Sequence, residues 1–174
     1  MNDVFLSALV SPGPHPDLPP EQRIFAPFIG SWDLVVTWYA EDGSIRRQES
    51  GEWHFSWVLE GRAVQDIWIV PPRHERHGHQ DPYEYGTSLR FFDSGLGAWR
   101  STWIGPTRRA VHVFAARRIG DEVVLETELE GEGRMRWIFS DITDMSFTWR
   151  NHRETVTGWL LAQDFRARRR HPRD

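Results

Sequence analysis

Eight histidines and no cysteine define the chemistry open to this chain of 174 residues. Three histidines fall in one short run, Arg73-His74-Glu75-Arg76-His77-Gly78-His79, with Asp81 close by. Imidazole and carboxylate at this spacing are ligand types for Zn²⁺ or Ni²⁺. A metal site also needs ligands held by rigid elements and outer hydrogen bonds, which a Gly-containing loop does not supply. The expectation is a solvated connection without metal. His54, His112 and His152 lie in segments of period-two pattern, so each has a defined side of a strand. Thr148, Arg150 and His152 share one side of their segment, opposite Phe147, Trp149 and Asn151. This polar stripe is either the solvent face of a wall or a polar line inside a cavity. Asp66 stands two residues before Trp68, and Glu52 is out of phase with Trp53. A carboxylate enclosed by aromatic rings can serve as a general acid or base. The chain has no nucleophile elbow, no Gly-rich phosphate loop and no paired-carboxylate spacing. Lack of cysteine excludes a thiol nucleophile, a disulfide framework and thiolate-bound zinc or iron–sulfur clusters.

The elements that would position these groups follow from the aromatic pattern. Ten tryptophans are spread over almost every segment, and within segments they sit an even number of residues apart: Trp32 and Trp38, Trp53 and Trp57, Trp99 and Trp103. Even spacing puts each pair on one face of a sheet. Candidate strands run over 31–39, 46–58, 63–70, 83–92, 98–104, 110–118, 122–130, 134–140, 146–153 and 156–166. Turn signals such as Asp42-Gly43, Glu60-Gly61, Ser94-Gly95 and Gly120-Asp121 separate them. These connections suit antiparallel hairpins and are too short for crossover helices. The exception, Pro71 to Pro82, is a long polar loop at a barrel end. Ten sequential antiparallel strands would leave open edges unless the sheet closes, so the fold class is all-β, a single up-and-down antiparallel barrel. A ten-stranded barrel is wider than side chains readily fill, so a cavity is expected. Ahead of it, residues 1–18 read as an extended Pro-rich arm. A short helix from Pro19 or Pro20 through Phe28 is expected across one end.

Every basic residue is Arg, and the net charge of −4 argues against nonspecific nucleic-acid binding. The run Arg166-Ala167-Arg168-Arg169-Arg170 reads as the start of a solvated tail, with the barrel over 19–167 and the tail over 168–174. Residues Met1 to Val10 lack a basic cluster ahead of their short apolar run, and no stretch has the apolar length of a membrane span. The expectation is a cytoplasmic protein with no membrane and no nucleic-acid partner. A homodimer stays open.

Phe28-Ile29-Gly30-Ser31-Trp32 places Gly-x-Trp at the entrance to the first long strand. That motif resembles the start of calycin barrels, lipocalins included. The resemblance extends through Leu59-Glu60-Gly61-Arg62, Leu89-Arg90-Phe91-Phe92-Asp93 and Trp99-Arg100-Ser101-Thr102-Trp103, and covers about residues 25 to 167. Taken together these segments look like bacterial calycin-like proteins of unknown function. In lipocalins an Arg of the last strand packs over the first-strand Trp and closes the barrel base. The resemblance implies that role for Trp32, with Arg166 the nearest counterpart of the Arg. Nitrobindin, a ten-stranded haem-binding barrel, is a second relative by shape. Leu34 and Val36 stand where its strand has glycines, which argues against haem. His152 would be the candidate proximal ligand of that alternative.

The reading that unites these features is a barrel that binds a small apolar or aromatic molecule, with no cofactor. Parity points Trp38, Trp53, Phe55, Trp68, Trp103, Trp137 and Trp149 inward, with Arg90, Arg136, His112 or His152 as polar contacts. Whether such a barrel also transforms its guest by acid/base chemistry stays open. A ligand-free interaction module is the remaining alternative and would expose its Trp residues in one patch.

Overall fold

In the computed structural model, which describes residues 3–76, 83–129 and 133–170, period-two patterning becomes strand after strand. A two-residue strand β1 (Val10–Ser11) precedes ten long ones: β2 (Gly30–Tyr39), β3 (Ile45–Val58), β4 (Ala63–Val70), β5 (Glu84–Asp93) and β6 (Ala98–Gly105). The others are β7 (Ala110–Ile119), β8 (Glu122–Leu129), β9 (Gly133–Ser140), β10 (Ser146–Thr155) and β11 (Gly158–Arg169). From β2 onward each strand pairs antiparallel with the next, and β11 pairs back onto β2 from Gln163↔Trp38 to Arg169↔Trp32. Closure removes every long free edge. The strand β1 adds to the end of β3 through Val10↔Val58.

Alternation decides which side chains fill the interior. Along β2, Trp32, Leu34 and Val36 are buried while Asp33 and Val35 face solvent. The same rule sends Trp53 and Phe55 inward from β3, Phe114 and Ala116 from β7, and Phe147 and Trp149 from β10. Among the described residues no helix is long and apolar enough to cross a membrane.

The helix expected across the barrel end is replaced by two 3-10 turns, Pro20–Gln22 and Ala26–Phe28. Pro27 explains the difference, since it lacks the N–H that an α-turn would use and disfavours α geometry at Ala26. The segment still plugs the base. Phe25 and Phe28 are fully buried, with Phe25 edge-on to Trp99 at 5.2 Å between ring centres and Phe28 4.6 Å from Phe139. An α-helix does form at α1 (Asp3–Leu9), inside the arm expected to be extended, and it buries none of its residues.

The base is locked by an Arg over Trp32, but the residue is Arg169 rather than Arg166. The Arg169 guanidinium lies 4.2 Å from the centre of the Trp32 ring. Its Nη1 donates to the Ile29 carbonyl at 2.7 Å and its Nη2 to the Pro27 carbonyl at 2.9 Å. Trp32 Nε1 donates to the Phe28 carbonyl at 2.7 Å. Gly30 belongs to the same lock, because its φ is +124° and an added Cβ would stand 2.6 Å from Arg169 Nη1. Arg166 is exposed on the outer wall. Arg170 also leaves the expected solvated tail, since its guanidinium pairs with Asp33 and reaches Glu52.

Glu52 faces outward yet is buried beneath the segment that follows β4. Its Oε1 accepts the Arg73 backbone N–H at 3.0 Å and Nε–H at 2.8 Å. His54 Nε2 donates to Oε2 at 3.1 Å, and its Nδ1 hydrogen-bonds Ser31 Oγ at 2.9 Å. Burial works against the charge on Glu52, but the hydrogen bonds from Arg73 and His54 and the charge of Arg73 outweigh it and hold the carboxyl at about 2.

Two stability measurements test this scheme. Arg169→Ala removes the lock and is expected to cost about 3 kcal/mol in urea denaturation, from lost charged hydrogen bonds and a lost cation–π contact. Arg166→Ala is expected to stay within about half a kcal/mol, and equal losses from the two would refute the assignment. Glu52 has a folded pKa below its unfolded value, so its contribution is present above about pH 4.5 and is lost as pH falls toward 2. After solvent screening at the exposed Arg73 it amounts to about 2 kcal/mol. Glu52→Gln should therefore lag the unmodified chain at pH 7 and converge with it as pH approaches 2. A gap independent of pH would show that the charge is not what stabilises.

Candidate functional site

The two barrel ends differ in how they are filled. At the base, the plug rings pack against Phe55, Trp99, Phe139 and Phe147. At the opposite end, where β2 turns into β3 and β6 into β7, the wall rings leave a cavity of about 710 Å³. That volume is in the range of small-molecule sites.

Seven of the eleven residues expected at the site line this cavity: Trp38, Trp53, Trp68, Trp103, His112, Trp137 and Trp149. Their rings form a continuous wall. Trp137 meets Trp149 edge-on at 5.3 Å, Trp149 stacks on Phe165 at 4.3 Å, and Trp53 meets both Phe165 and Trp68 edge-on, at 5.2 and 5.6 Å. Trp38 stands at the mouth with the Arg47 guanidinium 4.7 Å from its ring centre. Trp103 closes over two glycines, which leave room for its ring. A Cβ on Gly86 would lie 2.3 Å from Trp103 Cη2, and one on Gly105 would lie 3.0 Å from its Nε1.

The structure separates four expected residues from the cavity. Phe55 points inward but packs in the plug, 5.9 Å from Phe28. Arg90 is also inward, fully buried below the cavity floor with Asp66, and Nη2 and Oδ2 are 2.5 Å apart. The approach is that of an ion pair without an aligned hydrogen bond. The Arg90 guanidinium lies 5.0 Å from the Phe25 ring centre and 5.6 Å from that of Phe55. Asp66 Oδ1 accepts the Ser88 backbone N–H at 2.9 Å. Asp66 is thus engaged in holding Arg90 and does not face a guest. Arg136 and His152 are on the outer wall. Arg136 donates to Glu126 at 2.7 Å and lies over the Trp159 ring at 4.4 Å. Burial, reinforced by the charges of Arg150 and Arg136, lowers the pKa of His152. The Thr148–Arg150–His152 stripe is therefore the outer face, and the histidine that the haem alternative needs lies outside the cavity.

Polar groups of the cavity wall include residues not expected from sequence. Asn151 and Gln163, paired across β10 and β11, face inward and line the cavity together with His112, and Met135 and Phe165 complete the apolar surface. Parity was the available signal, because Asn151 shares a face with Trp149. Glu84 Oε2 accepts the Trp68 indole N–H at 2.9 Å at the rim. Trp53, Trp137 and Trp149 Nε1 and Asn151 Oδ1 are buried with no hydrogen-bond partner among the described residues. His112 is the one imidazole in the described cavity wall. The Ser31–His54–Glu52 chain has relay-like residue types, but it lies on the outer wall with Glu52 held by Arg73 and Arg170. Of the histidine loop, His74 is largely exposed, while His77, His79 and Asp81 lie outside the described residues.

No family model matches the chain, and no curated protein does. Among solved structures it is similar to an S-type phycobiliprotein lyase from Guillardia theta, at 11% identity and a TM-score of 0.57, over 87% of this chain and 93% of that one. A redesigned β-barrel covers 86% of this chain and 96% of its own at 14% identity, but its TM-score of 0.35 gives it no weight. The first likeness shows the fold, a calycin-like barrel, and at this identity nothing more.

Gly86→Ala tests whether Trp103 depends on that gap. The new methyl would also stand 2.7 Å from the Ile104 carbonyl oxygen, so the ring has to move. The expected result is a loss of about 1–3 kcal/mol together with a shifted tryptophan emission. Unchanged stability and emission would mean that Trp103 is free to sit elsewhere.

Proposed function

We propose that the barrel binds a small, largely apolar or aromatic molecule in the cavity bounded by Trp38, Trp53, Trp68, Trp103, Trp137 and Trp149. The observation that carries this is the uneven filling of one interior, with rings packed solid at the base and ring faces left around open volume at the other end. Burying a planar guest between such rings is favoured by about 25 cal/mol per Å² of apolar surface removed from water. The buried indole N–H groups add selectivity. An unmet buried donor costs about 1–3 kcal/mol, so a guest whose carbonyl or carboxylate oxygen draws these groups toward it is preferred over a bare hydrocarbon. His112, Asn151 and Gln163 are the polar contacts we assign. Similarity of fold to a phycobiliprotein lyase is in keeping with a barrel that holds a small molecule. We assign binding alone, since Asp66 and Glu52, the carboxylates considered for acid/base work, are both committed to ion pairs away from the cavity.

Titration with fatty acids, polyenes and polycyclic aromatic carboxylates should quench tryptophan fluorescence saturably. A probe at a hundredfold excess over its Kd should also raise stability by about 2.7 kcal/mol. Trp103→Ala, at a half-buried ring near the mouth, should weaken the best probe about tenfold, equivalent to about 1.4 kcal/mol. If no compound of the panel moves either signal, the proposal is wrong.

A further inference from the structure

The outer wall is divided as sharply as the interior. Over β8 to β11 it carries charge pairs, among them Arg136–Glu126 at 2.5 Å and Arg150–Glu122 at 2.7 Å. Over β4 to β7 it carries none across two whole rows. Ile67, Thr87, Ile104 and Val111 stand side by side in register, and Gln65, Leu89, Thr102 and Val113 form the next row. Tyr85 and Phe91 extend the face along β5. Its apolar members are well exposed, Val111 by 63%, Val113 by 49% and Phe91 by 45%. Gln65 Nε2 donates to Thr87 Oγ1 at 3.0 Å and Thr87 Oγ1 donates to the Asp66 carbonyl at 2.5 Å, so those groups are satisfied within the sheet. Covering the face costs little in lost hydrogen bonds.

We propose that this face is a homodimer interface whose occupant is the same face of a second copy. Three features select that partner. Identical surfaces meeting about a two-fold axis bring like residues together, and two rows without charge place no like charges opposite each other. Every apolar side chain of the face is more than a third exposed, as suits an interface that must remove about 800 Å² per partner from water. Two twisted sheets also stack face to face about 10 Å apart with their apolar side chains interleaved, as in a β-sandwich. Charges are confined to the rim, where Arg100 pairs with Asp93 at 2.6 Å and Arg76 covers Tyr85. Lipid is a poor occupant, because the wall of the same barrel over β8 to β10 carries charge pairs. The face reaches the cavity rim through Tyr85 and through Gly105 and Ala110, next to the Ile104–Val111 pair. A dimer would therefore bury one side of the cavity mouth and leave the other open.

Sedimentation equilibrium of the full chain, over a range of micromolar concentrations, should fit a monomer–dimer equilibrium of the 20.4 kDa chain. Val111→Glu and, separately, Leu89→Lys should each shift the dissociation constant at least a hundredfold toward monomer while circular dichroism and probe binding in the cavity stay unchanged. Both positions are exposed, so either variant serves if the other fails to fold. An unmodified chain that stays monomeric throughout that range would overturn the proposal. So would folded variants that dimerise as before, or a chain that stays monomeric and instead sediments with neutral phospholipid vesicles.

Discussion

Closure at the barrel base depends on one cation placed over one ring. The Arg169 guanidinium lies against Trp32 and hydrogen-bonds the Pro27 and Ile29 carbonyls, so a single side chain joins the last strand, the first long strand and the plug. Strand pairing between β11 and β2 places Arg169 opposite Trp32. Gly30 leaves the space that the guanidinium occupies. With the plug fixed, Phe25 and Phe28 are held among Phe139, Phe147 and Trp99, and the lower half of the barrel becomes a solid core. The upper half has no corresponding plug in the described chain, and its aromatic residues surround space.

Beneath the cavity, the Asp66–Arg90 pair marks the boundary between these halves. Two opposite charges removed from water are tolerated when they meet closely, whereas removing one partner leaves a buried charge uncompensated. Arg90 also lies against Phe25 and Phe55, so its cation is held by ring faces as well as by Asp66. The same chemistry recurs at the base in Arg169 over Trp32 and at the mouth in Arg47 over Trp38. In a chain whose basic residues are all Arg, planar guanidinium groups can stack where a Lys ammonium would act as a point charge.

The division of the outer wall follows from strand alternation in the same way. Once the inward set of each strand is chosen by the rings, the outward set is fixed, and on β4 to β7 that set includes two whole rows without charge. Tryptophan is absent from this face; the exposed residues are Ile, Val, Leu, Tyr and Phe. An apolar outer face and an aromatic-lined cavity therefore lie on opposite sides of the same strands.

Much of the fold could be read from the chain alone. Even spacing of Trp and Phe determined ten strands to within a few residues of their ends, their antiparallel order and the sharing of faces, because a strand's side chains alternate whatever surrounds them. The same parity grouped the seven residues that came to line the cavity. Parity does not say how deep a residue lies, and Phe55 and Arg90 share the inward face yet fall below the floor once the plug occupies the base. Nor does it choose a face where both sets contain large residues, which is why Arg136 and His152 turned outward only when Trp137 and Trp149 took the interior. The choice of Arg169 over Arg166 was decided by cross-strand register, since only residue 169 is opposite Trp32. Pro27 likewise turned an apparent helix into 3-10 turns, whose rings then found their partners on strands far away in sequence. Local periodicity is set by the backbone, whereas depth, register and the filling of space are properties of strands brought together.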